Sequence, residues 1–319
     1  MKGLGVNPAF TRAGWEHVYL RVMARDTGLP QTDAQFDFTR SRRQRVVGRL
    51  ANRLRGQPAD FNVILPFDEV VQALGRRGER SLGLQTIEID SIVGTVDRGR
   101  EFDRSFRPTT SRVRGRFERI SEAQRRGEEM PPIDVYRIGE LHFVRDGHHR
   151  VAVARSQGLK VIDAYVTEVL TRVGADRKIR LPDLPLKSHE RLFHERVPLP
   201  PEARRRIHLK NSRGYAYLAE GVEAWGFRAM QARQEFMSRD EVAEAWFREE
   251  YEPVVDMLAE AGLASKAEET DAYVAAVTLR YMLLNTHEWD ENVLERVRKE
   301  IENPSWEDTQ IRNLRRELS

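Results

Sequence analysis

The sequence predicts an α+β/α arrangement. A small mixed α/β domain, residues 84–170, lies between an arginine-rich helical N-terminal region, 1–83, and an acidic all-helical C-terminal domain, 201–319. Three observations predict it. β-Branched residues alternate with polar ones in short runs between Leu84 and Val169, which is the period of strands. Apolar residues recur at helical spacing before that stretch and again beyond Ile207. Between the two, Pro182, Pro185, Pro198 and Pro200 punctuate residues 171–200, with Pro201 directly after, and this stretch reads as a linker. A chain of 319 residues also exceeds the usual size of one hydrophobic core, so more than one packed unit is expected.

From Gly14 to Arg25, Trp15, Val18, Tyr19 and Val22 share one helix face. Phe38 to Leu54 is predicted as a second helix. Its apolar residues are Val46, Val47, Leu50 and Leu54, and Arg40, Arg42, Arg43, Arg45, Arg49 and Arg53 surround the rest. A third helix runs from about Phe67 to Leu74 and stops near Gly75. Leu84 to Val93 reads as the first strand. The arginine-dense segment Asp97 to Arg126 turns helical from about Thr110. Ile133–Ile138 and Leu141–Val144 are strands joined by a Gly139-Glu140 hairpin turn, Val151–Ser156 is a helix, and Val161–Val169 is the last strand. In the C-terminal domain, Tyr215, Leu218, Trp225 and Phe227, then Trp246, Tyr251, Val254, Val255 and Leu258, then Tyr273, Val277, Tyr281 and Leu284, repeat at helical spacing and read as core. Ser238 with Glu241 three residues on is a capping box.

Composition narrows the chemistry. Hydrophobic residues make up 40%, enough for a globular core. The absence of cysteine excludes disulfides, thiolate metal sites and cysteine nucleophiles. No apolar run approaches the roughly 18 residues of a membrane span, and no secretory leader is visible, so a cytoplasmic location away from membranes is expected. The net charge of +3 hides an asymmetry. Residues 1–200 carry 36 basic and 26 acidic groups, and residues 201–319 carry 17 and 24. Such a split predicts an anionic partner for the basic part, or contact between the two parts.

One segment carries the chemistry: a short strand, then Asp146-Gly147-His148-His149-Arg150, then a helix. Gly147 lets the backbone turn and approach a ligand closely. The N–H groups that open the helix sit at the positive end of its dipole. Arg150 offers a planar fork to phosphate oxygens, and the histidines add donors that titrate near neutrality. The structural reading of the same residues has the histidines capping the helix and Arg150 paired with Asp146 or Asp134. A metal reading is weaker: His142, His148, His149 and Asp146 carry ligand-type atoms, but their spacing matches no recurrent zinc pattern, so no metal site is assigned to side chains.

The order strand, arginine-rich helix, PPIDVYRI, then HFVRDGHHRVAVARSQGLKVIDAYV resembles the ParB/sulfiredoxin superfamily over residues 84–170. In ParB-type partition proteins the matching turn is a Gly-Glu-Arg-Arg box that holds the triphosphate of CTP, and Gly147 and Arg150 match its glycine and second arginine. Sulfiredoxins have Gly-Cys-His-Arg there after a similar proline-proline-isoleucine-aspartate strand, matched by Pro131, Pro132, Ile133 and Asp134. His148 takes the place of their cysteine, which removes sulfiredoxin chemistry. Free serine kinases carry Asp-Gly-His-Thr-Arg, from which only His149 departs. The resemblance implies phosphate binding by Asp146, Gly147, His148, His149 and Arg150. It also implies a second phosphate-facing cluster, Arg104, Arg107, Thr110 and Arg112. Asp97 and Asp103 are the nearest candidates for a carboxylate base or magnesium ligand, and turn capping is their structural reading.

The expected function is therefore a ParB-like protein binding a nucleotide, CTP or ATP with Mg2+, whose binding or hydrolysis switches its conformation. Duplex DNA is the expected further partner, and a homodimer the assembly to test. A phosphotransferase resembling free serine kinase is the alternative, with His148 polarising the γ-phosphate and Asp97 taking the substrate proton. An interaction module with a vestigial phosphate site is the third. A partition protein should follow this domain with a helix-turn-helix, yet Glu249, Glu250 and Glu252 stand where cations should face phosphates. DNA contact would then fall to Arg40, Arg42, Arg43, Arg45, Arg49 and Arg53.

Overall fold

Six strands and the helices packed on them make the first part of the chain, in a computed structural model that describes residues 27–57, 62–97, 99–265, 268–284, 289 and 291–302. The helix expected over 14–25 lies outside the described residues. The chain divides into two compact units, the break falling after Leu184.

In the first unit the elements run α1 (Pro30–Leu54), β1 (Leu65–Pro66), α2 (Phe67–Leu74), β2 (Arg76–Glu88), β3 (Ile92–Thr95), α3 (Arg114–Arg125), β4 (Ile133–Ile138), β5 (Leu141–Asp146), α4 (His148–Ser156) and β6 (Val161–Thr171). The sheet order is β1-β3-β5-β4-β6-β2. β1 and β3, β3 and β5, and β4 and β6 pair in parallel, whereas the β4–β5 hairpin and the β2–β6 edge are antiparallel. The hairpin turns at Gly139, as expected, with φ 56°. Period-two alternation sends Ile133 and Val135 of β4 to one face, where Phe38, Phe117, Val151 and Val153 cover them. The other face buries Phe143, Leu141 and Val169 under Phe67, Val70 and Leu74 of α2.

Four expectations are corrected. The first strand does not run unbroken from Leu84 to Val93: β2 starts at Arg76, and a 3-10 turn at Ile89–Ser91, in which Ser91 Oγ donates to the Glu88 carbonyl, redirects the chain into β3. The helix placed from Thr110 begins at Arg114, and the helix placed at Val151 begins at His148, directly after the glycine. Residues 171–200 are not a plain linker. They hold a 3-10 turn, Leu181–Asp183, and α5, Leu184–Arg196. Pro182 and Pro185 fall in first turns, where a missing N–H breaks no helical bond.

α1 docks through Ala34, Asp37, Phe38 and Ser41 on one face, and Phe38 meets Phe117 of α3 edge-on at 5.5 Å. Beyond Ser41 the helix loses that support, and Val46, Val47, Leu50 and Leu54 are exposed with the arginines.

The second unit is helical: α6 (Pro201–Arg204), α7 (Ser212–Arg233), α8 (Arg239–Trp246), α9 (Glu252–Glu260), α10 (Glu269–Leu284) and α11 (Glu291–Glu302) follow α5. The expected capping box opens α8, Ser238 accepting from the Glu241 N–H and Glu241 from the Ser238 N–H. Phe247–Tyr251 widens into a π turn before α9, where Pro253 has no N–H to return to the preceding turn. Trp246, Tyr251 and Tyr273 form the core of this unit, with Trp246 Nε1 donating to the Tyr273 hydroxyl at 3.1 Å. Phe227 and Tyr281, expected in that core, are exposed. No helix among the described residues is long and apolar enough to cross a membrane.

Candidate functional site

β5 ends at Asp146, and Gly147 turns the chain into α4 with φ 98° and ψ 18°. A Cβ at Gly147 would lie 2.4 Å from Ile133 Cγ2, so the turn requires glycine for its conformation and its space. Asp146 is exposed, and the side chains that follow it turn inward. Arg150 donates from Nη1 to the carbonyls of Pro131 and Pro132 and from Nη2 to Asp146 Oδ2 at 2.7 Å. It clamps the approach to β4 against the end of β5.

His148 and His149 are only 4% and 6% exposed. His148 Nε2 lies 2.6 Å from Thr95 Oγ1 at the end of β3, and its ring stacks on Phe102 and Phe106, each at 6.4 Å. His149 meets Phe102 edge-on at 5.4 Å. Arg155 of α4 lies over Phe106 and donates from Nη2 to the carbonyls of Ile89 and Ile92 at 2.7 and 2.8 Å, and burial pushes its pKa down. His142 sits on β5 with Nδ1 2.8 Å from Ser91 Oγ; burial, aided by Arg137 and Arg177, lowers its pKa to about 4. Thr95, Phe102, Phe106 and Arg155 were not singled out from sequence, because nothing local to Gly147 points to them.

The second cluster is also largely structural. Asp103 Oδ1 accepts the N–H groups of Ser105 and Arg107, both at 2.9 Å, and holds Phe106 at a positive φ of 54°. Burial pushes its pKa up against those bonds. Arg104 donates to the Arg177 carbonyl at 3.2 Å and Arg107 to the Gln44 carbonyl at 3.3 Å. Burial lowers the Arg104 pKa, with Arg180 adding to the effect. Asp97, Thr110 and Arg112 are exposed and make no hydrogen bond or ion pair among the described residues.

On α1 the arginines divide. Arg45 donates to the Thr109 carbonyl at 3.2 Å, and burial lowers its pKa while Asp103 opposes. Arg40, Arg42, Arg43, Arg49 and Arg53 are exposed and have no hydrogen-bond or ion-pair partner among the described residues. Arg45, Arg49 and Arg53 line a cleft of about 840 Å3 that α1 forms with Asn62, Phe102 and Asp103. A second cleft, about 540 Å3, brings Arg116, Arg119 and Arg126 together with Arg150 and Pro131. The sequence signal for it is the spacing of 116 and 119, which places two arginines on one face of α3, with Arg126 following directly after its last residue.

A nucleotide fits this arrangement in part. Arg116, Arg119 and Arg126 line that cleft together with Glu122 and Glu128, and Arg126 is ion-paired with Glu122, so among the described residues Arg116 and Arg119 are the cations left to meet phosphate oxygens. Arg150 joins them only by leaving its carbonyl partners, and His148 and His149 face the aromatic interior instead. Among the described residues no group of three or more His, Asp or Glu is placed to hold a metal ion.

No protein-family model matches the chain, and no curated protein matches it. Solved structures similar to part of it include two ParB N-domains. One, the N-domain of a pNOB8-like ParB, is 13% identical over 70% of this chain and 75% of its own, with a TM-score of 0.20. The other, a further crystal form of such a domain, is 12% identical over 76% and 98%, with a TM-score of 0.21. Likeness of that extent carries no argument about chemistry.

Proposed function

We propose that the α/β unit is a phosphate-recognising, DNA-associated module in which the exposed arginines of α1 lie along a duplex backbone. One observation carries the reading: Arg40, Arg42, Arg43, Arg49 and Arg53 crowd one stretch of helix without a partner among the described residues. Like charges at i,i+4, such as Arg49 and Arg53, repel by about 0.2–0.5 kcal/mol per pair. Nearby acids are not free to neutralise them, since Asp33 and Asp37 face Arg125. A polyanion removes the repulsion and gains entropy from released counterions. Fluorescence anisotropy with labelled duplex tests it. Affinity should fall steeply between about 50 and 200 mM salt, and Arg42→Glu with Arg49→Glu and Arg53→Glu should remove most binding. Arg45 is left out because it anchors the Asp103 loop. Wild-type protein that ignores duplex at low salt, or a triple variant that binds it unchanged, sinks the proposal.

Nucleotide binding belongs to the same reading: CTP or ATP with Mg2+ in the cleft of Arg116, Arg119, Arg126 and Arg150, altering how copies of the chain meet each other or DNA. Calorimetric titration with CTP, ATP, GTP and UTP reads it, with Arg116→Ala plus Arg119→Ala as control. Sedimentation velocity with and without nucleotide reads any homodimer. A second reading has its own observation. Both histidines are buried, and Arg150 is held by the exposed Asp146 and by two backbone carbonyls, which favours an interaction module whose turn is structural. Absence of heat with every nucleotide selects it. The phosphotransferase reading has less behind it, because His148 is packed against Phe102 and Phe106, although Asp97, its carboxylate base, is exposed.

A further inference from the structure

α1 has a property that phosphate contact alone does not use. Its docked face is Ala34, Asp37, Phe38 and Ser41. At about 3.6 residues per turn, Phe36, Arg43, Val46, Val47, Leu50 and Leu54 stand on the opposite side. The four aliphatic residues among them are 59–80% exposed. An exposed apolar stripe of this kind marks a contact surface. Cations border it on both sides. On one flank Arg49 and Arg53, with Arg45, line the cleft of about 840 Å3. On the other, Arg40 lines a cleft of about 1090 Å3 with Arg107 and Arg114. The acids of these clefts are engaged: Asp103 accepts backbone N–H groups, and Asp33 and Asp37 face Arg125. Arg114 is paired with Glu118, so Arg40 and Arg107 carry the second flank.

We propose that α1 enters the major groove of a duplex, with Val46, Val47 and Leu50 against thymine methyl groups and Arg43 on a guanine edge. This rests on the duplex reading above and adds base recognition to phosphate contact on the same helix. The groove is about 12 Å wide and admits an α-helix. Its two walls are the phosphate strands, which the flanking arginines and the clefts beside them would receive. Arg43 lies within the apolar stripe and carries the planar fork that bonds guanine O6 and N7, and the thymine methyl is presented in this groove. From Arg43 to Leu54 the stripe is about 16 Å long, roughly the span of five base pairs. A second copy of the chain on this stripe would set arginines against arginines. A flat lipid surface would leave both clefts unfilled.

Selection by the full chain from a duplex pool with a randomised core is the experiment. It should enrich a site of roughly five base pairs that holds a guanine beside thymines. Uracil in place of those thymines should weaken binding about fourfold for each contacted methyl. Arg43→Ala should erase the preference for that guanine, roughly 5–150-fold. Val47→Ser with Leu50→Ser changes two exposed positions and no charge, so it should keep its Tm and its affinity for random duplex and lose the selected site. Salt-dependent duplex binding that enriches no sequence, or a site without guanine and thymine, overturns the groove inference and leaves the phosphate reading standing. No duplex binding at all removes both. Uracil duplex bound as tightly as thymine duplex also overturns it. So does a double variant that changes self-association or binding to phosphatidylserine vesicles and keeps the selected site.

Discussion

The arginine-bearing helix is held to the α/β unit by a buried charge cluster, and breaking it gives a pH signature that packing loss alone does not. Arg125 of α3 donates to Asp37 Oδ2 from Nη2 at 2.8 Å and from Nε at 3.3 Å, and Ser121 Oγ donates to the same oxygen at 3.1 Å. Asp33 lies 3.7 Å from Arg125 Nη1 and accepts from the Thr27 hydroxyl and N–H. The side chains of Arg125, Asp33 and Asp37 are 3%, 2% and 4% exposed, so one buried cation serves two buried carboxylates. Arg125→Met keeps most of the side-chain volume and removes the cation. A stranded carboxylate escapes by binding a proton, and holding an ordinary one protonated at pH 7 costs about 1.4 kcal/mol for each unit above 3.9, roughly 4 kcal/mol. Removing one partner of a buried pair costs about 3–5 kcal/mol in measured cases, which agrees. At pH 5 the same arithmetic leaves about 1.5 kcal/mol. Urea unfolding of wild type and variant at both pH values reads the difference, and limited proteolysis within 42–54 reads release of α1. A penalty below about 1 kcal/mol at pH 7, or one that does not shrink by pH 5, would refute the reasoning.

Three further outcomes are expected. Gly147→Ala forces a Cβ to 2.4 Å from Ile133 Cγ2 at φ 98° and should destabilise the first unit by about 2–4 kcal/mol by urea midpoint, strain and displacement together. His142 and His194 both have pKa values lowered by burial to about 4. The unfolded chain therefore binds more protons between pH 6.5 and 4, and stability present at pH 7 is lost on acidification. By pH 5 each histidine should cost its unit about 2 kcal/mol, and His142→Gln should flatten that fall in the first unit only. Ser238→Ala removes one half of the box that opens α8 and should lower the stability of the second unit by about 1 kcal/mol in the same assay.

What was legible in the sequence was what neighbours along the chain decide. The Gly139-Glu140 turn and the alternation of Ile133 and Val135 produced the β4–β5 hairpin, and Ser238 with Glu241 produced a helix start, because each rests on residues within one turn or strand. β2 was misplaced because its first half, Arg76 to Gly83, is a polar edge whose strand state comes from pairing with Ser81↔Thr167 and Arg76↔Thr171, far away in sequence. The prolines near 182–185 read as linker because their position relative to a helix start is invisible until the helix exists. The Arg125–Asp37 contact was out of reach for the same reason.

The Asp-Gly-His-His-Arg turn shows where such a reading stops. A glycine at such a turn specifies backbone: the positive φ follows from it, whereas the helix start, expected at Val151, falls three residues earlier at His148. Which way the next side chains face is decided elsewhere, by Phe102 and Phe106 from a loop and Thr95 from β3, which draw both imidazoles inward. Arg150 is drawn inward too, by the carbonyls of Pro131 and Pro132. The motif thus keeps a phosphate-compatible backbone while its own side chains serve the fold. Any anion reaching the turn must be met by arginines outside the motif. Arg116 and Arg119, on a helix with no motif, are therefore the sharper test of nucleotide binding than Arg150, whose loss would unclamp β4 and lower affinity even if it never touched a phosphate.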